Sequence, residues 1–188
     1  MRYLSQSLMF DDTSIYFINE LGEKEYVMMD WEREVMRRHA EIVCENNGHV
    51  LEIGFGMGIS AGYIQDNEPL SHTIVENHPQ VITKALDWAE GKSNVTIVQG
   101  SWIDKLDELS MYDGIFYDAY GDENFLEFKN QLTSLMKPNG IFTWWNAFDI
   151  KKNVYEFLEN VTYEKIIVAP SDNFYYTSDI YYLPKKQF

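Results

Sequence analysis

The residues best suited to bind a ligand form a glycine-rich turn. Residues 51–58 read Leu-Glu-Ile-Gly-Phe-Gly-Met-Gly, a short apolar run that leads into three glycines. Glycines let the backbone turn sharply and let a ligand lie against the main chain, and a following helix offers free N–H groups. The pattern differs from both the lysine-containing phosphate loop and the G-x-G-x-x-G of dinucleotide sites. It favours a nucleoside ligand without pyrophosphate; a tight turn without a ligand is the alternative.

An acidic and an aromatic residue follow the next two predicted strands. Glu76 ends the second strand 22 residues after Gly54. This is close to the spacing of about 20 at which a carboxylate binds ribose hydroxyls in nucleotide-binding folds. Trp102 follows the third strand, where a nucleobase would stack, although a Trp at this point can equally belong to the core.

Two further carboxylates, Glu52 and Asp118, are predicted to lie near the ends of adjacent strands. Six aromatic residues are available nearby in the sequence: Tyr117, Tyr120, Trp144, Trp145, Tyr175 and Tyr176. An acidic site with aromatic walls suits a flat cation. Taken singly, Glu52 could have a cofactor-side or structural role, and Asp118 could cap a helix.

Other catalytic chemistry has little support in the sequence. No G-x-S-x-G motif is present, so the sequence does not predict an acyl hydrolase. The single cysteine, Cys44, is expected to pack on the apolar side of the first helix. The four histidines lack the spacing of metal ligands, so no metal site is predicted: His39, His49, His72 and His78.

Alternating helix and strand patterns must position these residues. Helices are predicted over residues 26–46, 59–65, 79–90, 123–136 and 154–160. Strands are predicted over residues 49–55, 70–76, 94–99, 112–118, 141–145, 163–169 and 174–183. The order predicts a doubly wound α/β fold with a mostly parallel sheet, closed by an antiparallel hairpin. Such sheets bind ligands beyond the carboxyl ends of their strands.

Length and charge restrict the classes of partner. A chain of 188 residues fits one domain over residues 1–188. Its formal net charge of −15 disfavours nucleic acid and favours cationic small molecules or peptides. No apolar run approaches the roughly 18 residues of a membrane span, and a single cysteine fits a reducing compartment. We therefore expect a cytoplasmic protein with no membrane partner, and the many Tyr and Trp residues also allow a homodimer.

Several of these segments together resemble guanidinoacetate N-methyltransferase and the related fungal arginine Nδ-methyltransferases. The resemblance rests on residues 27–36, 50–57, 74–79, 100–102, 117–120, 135–140 and 179–184. It implies a Rossmann-like class I methyltransferase with sheet order 3-2-1-4-5-7-6 and an N-terminal helical lid over about residues 1–46. It also implies S-adenosyl-L-methionine as the methyl donor, S-adenosyl-L-homocysteine as its product, and no metal.

The resemblance also assigns roles to residues. The expected cofactor contacts are Met28, Trp31, Gly54, Phe55, Gly56, Met57, Glu76, Gly100, Ser101 and Trp102. The expected substrate contacts are Met36, Tyr120, Asn146 and Tyr175. Glu52 and Asp118 match the carboxylates that hold the guanidino group. Because methylation of a guanidinium requires loss of one proton, Asp118 is expected to accept it while Glu52 orients the opposite N–H groups.

Two departures from the guanidinoacetate enzyme favour arginine, free or in a peptide or protein, as the methyl acceptor. The chain is short between the fifth strand and the final hairpin, and Ala147-Phe148 replaces the Leu-Thr that holds the substrate carboxylate. Guanidinoacetate or another small guanidino metabolite is the alternative. Two further alternatives are a non-catalytic partner subunit that binds S-adenosylmethionine, and an O- or amine-directed methyltransferase of the same fold.

Overall fold

A computed structural model describes residues 3–156, 158–171, 173 and 175–188 of the chain. Its first part is a small antiparallel sheet of three strands in the order β1-β2-β3, with bounds β1 Met9–Phe10, β2 Ser14–Ile18 and β3 Lys24–Met29. The side chain of Gln80 binds this part to the rest of the molecule. Its amide oxygen accepts from the backbone N–H of Leu8 at 2.7 Å, and its amide nitrogen donates to the Leu8 carbonyl at 3.1 Å.

The main sheet has seven strands in the order β6-β5-β4-β7-β8-β10-β9. Their bounds are β4 His49–Ile53, β5 Ser71–Glu76, β6 Val95–Gln99, β7 Tyr112–Tyr117, β8 Met136–Trp144, β9 Thr162–Ile167 and β10 Ile180–Gln187. The strands from β6 to β8 pair in parallel, and β10 runs antiparallel to both β8 and β9. The predicted order 3-2-1-4-5-7-6 and the doubly wound fold class are confirmed.

Helices connect the parallel strands. Their bounds are α1 Arg33–Val43, α2 Ile59–Asp66, α3 Pro79–Ala89 and α4 Leu132–Leu135, with 3-10 turns at Tyr3–Ser5, Asp30–Glu32, Leu106–Glu108 and Phe125–Gln131. Pro79 occupies the first turn of α3, and the side chain of His78 accepts the backbone N–H of Gln80 there. Among the described residues, no helix has the length and apolar character needed to span a membrane.

Alternating side chains of the central strands supply two separate cores. Val50 and Phe116 pack with Met36 and Val43 of α1 on one face of the sheet. On the other face the core combines Leu51, Ile53, Ile115, Tyr117, Phe142 and Trp144. Because side chains alternate along a strand, Glu52 lies on the same sheet face as Val50, and Asp118 continues the face of Phe116. The two cores hold the carboxyl ends of β4 and β7 in fixed positions.

The predicted helical lid over residues 1–46 is wrong for residues 9–29, which form β1, β2 and β3. Residues 14–18 read Ser-Ile-Tyr-Phe-Ile, a run of β-branched and aromatic types that favours a strand. Asn19 then forms the hairpin turn: its side-chain oxygen accepts the backbone N–H groups of Leu21 and Glu23 at 3.0 Å, and Gly22 has φ +79°. The helix begins only at Arg33.

Two elements near the C-terminus also differ from prediction. The helix predicted over residues 123–136 is a 3-10 turn followed by the single turn α4. Residues 154–156 and 158–160, predicted to be helical, contain no helix; the Asn153 side chain accepts the N–H of Tyr155, an alternative to helical bonding. The last strand begins at Ile180 instead of 174. Phe157 and Phe174 fall within these predictions and lie outside the described residues.

Candidate active site

A cavity of about 270 Å³ opens at the carboxyl ends of the central strands. Its wall combines the residues that end β4, β5, β7 and β8 with the last residues of β3 and with Tyr175. Tyr3 and Tyr26, from the N-terminal part of the chain, also line it. The cavity therefore lies where doubly wound sheets bind their ligands, and the small N-terminal sheet contributes one side of it.

The glycine turn forms a bare stretch of backbone in the cavity wall. Gly54 has φ +96°, and a Cβ atom there would lie 2.0 Å from the carbonyl oxygen of Asp118. Gly56 has φ +53°, and a Cβ atom there would lie 2.6 Å from Sδ of Met28. Both positions require glycine for conformation and for space. The turn thus fits closely against β7 and β3 while leaving main chain exposed to a ligand.

Glu76 is fixed beside this turn. Its carboxylate accepts the backbone N–H groups of Phe55 at 2.9 Å, Asn77 at 2.8 Å and His78 at 2.7 Å. Burial raises the pKa of Glu76, and these backbone donors oppose that rise. The carboxylate lines the cavity and keeps acceptor capacity for hydroxyl groups.

Trp102 and Asp122 meet at a third part of the wall. The indole Nε1 of Trp102 donates to Asp122 at 2.7 Å, and the Tyr117 hydroxyl donates to the same carboxylate oxygen. The Trp102 ring packs edge-on against Phe128 and is only 2% exposed. Trp102 therefore belongs to both the core and the cavity wall, and its predicted stacking on a base stays a prediction.

Two carboxylates face the cavity together, those of Asp118 and Glu32. Asp118 follows β7 directly, and its backbone N–H donates to the Ile53 carbonyl at 2.9 Å. Glu32 ends the 3-10 turn before α1; its Oε1 accepts the Met29 N–H at 2.8 Å and the Tyr175 hydroxyl at 2.6 Å. These bonds fix the Glu32 carboxylate and the backbone of Asp118 from separate parts of the chain.

Both carboxyl groups have raised pKa values. Burial is the main cause for Glu32, and the charge of Asp118 adds to it, bringing the pKa to about 8 despite the hydrogen bonds from Tyr175 and Met29. For Asp118, burial and then the charge of Glu52 raise the pKa to about 7. A cation placed between the two groups would reverse these shifts by favouring both ionised forms.

Glu52, the predicted partner of Asp118, lies elsewhere. Its side chain is fully buried and does not line the cavity. One carboxylate oxygen accepts the Ser60 hydroxyl, and the other is 2.9 Å from Nε2 of His72. The carboxylate pair at the cavity is therefore Asp118 with Glu32, because Asp118 lies past the end of β7 whereas Glu52 lies inside β4, where Ser60 of α2 and His72 of β5 bind it.

The other predicted site residues divide into two groups. Those that line the cavity are Met28, Gly54, Phe55, Gly56, Glu76, Gly100, Ser101, Trp102, Asp118, Tyr120 and Tyr175. Four lie outside its wall. Met36 is fully buried in the core under α1, and Met57 packs beside the wall. Trp31 packs against Tyr175 with ring centroids 5.9 Å apart. Asn146 donates to the carbonyls of Ile150 and Tyr182 and so fixes the loop after β8.

Sequence reasoning missed several residues of the wall, above all Glu32. The signal was available, since Glu32 lies inside the resembling segment 27–36 and directly follows Trp31. The helical spacing of apolar residues around it drew attention to Met28, Trp31 and Met36 instead. Tyr3, Tyr26 and Asp122 were also missed, because nothing local in the sequence relates them to the glycine turn.

Comparison with known proteins identifies the family. The family model described as guanidinoacetate N-methyltransferase matches residues 7–180. The chain belongs to this family. Among curated relatives, it is 33% identical over 175 residues to protein arginine N-methyltransferase 2 of Saccharomyces cerevisiae, with 82% of this chain and 42% of that protein covered. It is 32% identical over 182 residues to the protein of the same name from Aspergillus oryzae, with 91% and 43% covered. This member of the guanidinoacetate N-methyltransferase family thus spans about two fifths of the length of these relatives.

Solved structures share the fold of this family member. Spermidine synthase in complex with the transition-state analogue AdoDATO has a TM-score of 0.65 at 14% identity, covering 96% of this chain and 71% of that one. TYW2 of M. jannaschii in complex with AdoMet has a TM-score of 0.60 at 14% identity, covering 97% and 85%. Precorrin-6y C5,15-methyltransferase of Geobacter metallireducens has a TM-score of 0.62 at 19% identity, covering 85% and 88%. The family match confirms the predicted resemblance, and the solved structures confirm the predicted fold.

Proposed function

We propose that this chain methylates a guanidino group, with S-adenosylmethionine as methyl donor and an arginine side chain as acceptor. The observation that carries the proposal is the pair Glu32 and Asp118, a buried and a partly buried carboxylate that face one cavity beside the glycine turn. A guanidinium is planar, always charged and rich in N–H donors, so two carboxylates can bind it at once.

The residues present fit S-adenosylmethionine. Gly54 and Gly56 line the cavity with main chain alone, and Glu76 offers a fixed carboxylate to ribose hydroxyls. Gly100 and Ser101 continue the wall past Glu76, at the end expected to hold the adenine. When bound, the cofactor supplies an electrophilic methyl group on a sulfonium sulfur.

The carboxylate pair prepares the acceptor nitrogen. Glu32, held by Tyr175 and the Met29 backbone, accepts N–H groups on one side of the guanidinium and fixes its rotation. Asp118 accepts an N–H on the other side. A nitrogen that received the methyl group would lose one proton, which Asp118 would accept, and the cofactor, having lost its methyl group, would be a neutral thioether. Holding nitrogen, methyl carbon and sulfur in line contributes up to roughly 7–11 kcal/mol in well-oriented systems.

The charges around the cavity support arginine over guanidinoacetate. Among the described residues, the wall contains four carboxylates, Glu32, Glu76, Asp118 and Asp122, and no Lys, Arg or His side chain. The carboxylate of guanidinoacetate lies one methylene from its guanidino group and would enter this negative field. In an arginine side chain, three methylenes separate the guanidinium from the backbone, and in a peptide the nearest carboxylate is neutralised as an amide. An arginine peptide therefore meets no like charge near the reacting nitrogen.

A methyl-transfer assay read by mass spectrometry tests the proposal. The protein is incubated with S-adenosylmethionine and, separately, with an arginine peptide, free arginine, agmatine and guanidinoacetate. The same peptide with Lys in place of Arg is the matched control. We expect a gain of about 14 Da on guanidino compounds, greatest for the peptide, and none on the lysine peptide. Methylation of the lysine peptide alone would contradict the proposal.

A further inference from the structure

A buried polar cluster next to the cavity has no part in the methyl transfer proposed above; of its members, Ser60 also lines the cavity. The cluster consists of Glu52, Ser60 and His72, which are at most 3% exposed. Ser60 donates its hydroxyl to one oxygen of Glu52, and Nε2 of His72 is 2.9 Å from the other. Burying a carboxylate is costly unless its lone pairs are satisfied, and here both oxygens have partners. The cluster therefore keeps a carboxylate in a place where an apolar side chain would pack.

The register of the sheet relates Glu52 to Asp118. Glu52 pairs with Phe116 of β7, and the N–H of Asp118 donates to the carbonyl of Ile53, the residue after Glu52. Since side chains alternate, Glu52, Phe116 and Asp118 share the sheet face that α1 and α2 cover. Glu52 is thus on the neighbouring strand, one step back from the cavity, on the same side as Asp118.

His72 lies between Glu52 and Gln65. Its Nε2 is 2.9 Å from a carboxylate oxygen of Glu52, and its Nδ1 is 3.4 Å from the side-chain nitrogen of Gln65. Among the described residues, no Lys or Arg forms an ion pair with Glu52.

We propose that Glu52 is a positioning residue for methyl transfer: held by Ser60 and His72 behind Asp118, its negative charge makes Asp118 a stronger proton acceptor without touching either substrate. This inference rests on the proposed function in one respect, the role of Asp118 as the acceptor. The electrostatic link between the two carboxylates is a property of the protein alone.

Six polar or titratable groups of the described part of the chain face Asp118 and Glu52. Towards Asp118 they are Glu32, Tyr175 and Tyr181, and towards Glu52 they are Cys44, Ser60 and His72. Burial raises the pKa of Cys44 to about 12, and burial likewise raises the pKa of Tyr175 and Tyr181 above the ordinary tyrosine value. These three groups stay neutral near pH 7. Burial and then the negative charge of Glu52 raise the pKa of Asp118 to about 7.

The variant Glu52→Gln removes this charge with little change in shape. Its amide oxygen can accept from His72, and its amide nitrogen can donate to the Ser60 oxygen, so both hydrogen bonds persist. The direct readout is a ¹³C NMR titration of the Asp118 carboxyl in the free protein. We expect its midpoint to fall by about one pH unit in Glu52→Gln, a tenfold change in proton affinity. Ser60→Ala, which removes a hydrogen bond but keeps the charge, is the matched control and should leave the midpoint near the wild-type value.

A second readout is the pH profile of kcat/KM for methyl transfer to the arginine peptide. Its acid limb should move to lower pH in Glu52→Gln, by the same amount as the NMR midpoint. An unmoved NMR midpoint would overturn the inference whatever the activity shows. A moved midpoint with an unmoved profile would overturn the role of Asp118 as proton acceptor.

The wild-type protein provides a test that needs no variant. In the same spectra, the Glu52 carboxyl signal reports whether this side chain carries the charge that the inference requires. A Glu52 carboxyl that stays protonated up to pH 8 would overturn the inference. If no guanidino compound is methylated at all, the proposed function fails, and these free-protein titrations alone decide the link between Glu52 and Asp118.

Discussion

Glu32 and Asp118 face one cavity from separate parts of the fold, and the charge of Asp118 helps to raise the pKa of Glu32. Glu32 comes from the turn before α1 and is held by Tyr175, whereas Asp118 follows a central strand of the sheet. No basic side chain among the described residues lines the cavity with them. Among the described residues the pair therefore has no neighbouring cation in the cavity wall, and a bound guanidinium would supply the charge that the pair lacks.

This pair should make stability depend on pH. The pKa values in the folded protein, about 8 for Glu32 and about 7 for Asp118, lie above the ordinary carboxyl values near 4. Between about pH 4 and 8 the unfolded chain therefore releases protons that the folded protein retains, so these groups lower stability as pH rises. The double variant Glu32→Gln with Asp118→Asn should be more stable than wild type by about 1–3 kcal/mol at pH 8. At pH 5 this gain in stability should be smaller.

Urea unfolding at both pH values measures this difference. Glu34→Gln, on the exposed side of α1, is the control for loss of a carboxylate outside the cavity. The contrary result is a stability difference between the double variant and wild type that is equal at pH 5 and pH 8. It would show that ionisation of the two carboxyl groups does not lower the stability of the folded protein.

The glycine turn gives a prediction with a control in the same region. Gly54→Ala should destabilise the protein by about 2–4 kcal/mol and reduce methyl transfer, because its Cβ would meet the Asp118 carbonyl at 2.0 Å and its φ of +96° suits glycine alone. Gly62→Ala, in the middle of α2 with nothing within 4 Å of the added Cβ, should stabilise by about 0.5–1 kcal/mol. Thermal unfolding of both variants tests this, and equal effects of the two would be evidence against close packing at Gly54.

Glu76 should determine cofactor affinity. In Glu76→Gln the amide nitrogen cannot accept a hydrogen bond, so either the Phe55 N–H or the pair from Asn77 and His78 loses its acceptor. We expect the Kd for S-adenosylhomocysteine, measured by calorimetry, to rise about 10–100-fold, equivalent to roughly 1.4–3 kcal/mol. Glu90→Gln, at the exposed end of α3, should bind like wild type. An unchanged Kd in Glu76→Gln would show that Glu76 does not bind the cofactor.

Much of the fold could be predicted from the sequence because local patterns determine it. The apolar run before Gly54, the spacing to Glu76 and the strand before Asp118 are continuous in the chain and define the parallel sheet. The antiparallel end of the sheet followed from the absence of a helix before the last strand. The N-terminal sheet was missed because β3 and the following turn carry apolar residues at a spacing that also fits a helix, and tertiary pairing with β2 decides between the two.

The carboxylate pair could be predicted only in part. Asp118 was predicted because it directly follows a central strand, and Glu52 was predicted because it is a carboxylate near the end of the neighbouring strand. Glu52 and Asp118 share one sheet face, and they differ because Asp118 lies past the end of its strand. That Glu32 completes the pair depends on the path of the chain before α1, which is not a local property of the sequence. Glu32 comes close to Asp118 only because the Tyr175 hydroxyl and the Met29 backbone hold it there.

The most direct test of the central claim is methyl transfer by Asp118→Asn under single-turnover conditions. The variant should bind S-adenosylhomocysteine within about threefold of wild type and transfer methyl to the arginine peptide about 10²–10⁴-fold more slowly, because its amide cannot accept the guanidinium proton. Asp87→Asn, exposed on α3, should react at the wild-type rate. A folded Asp118→Asn protein that methylates the peptide as fast as wild type would contradict the claim that the Glu32 and Asp118 pair performs guanidino methylation.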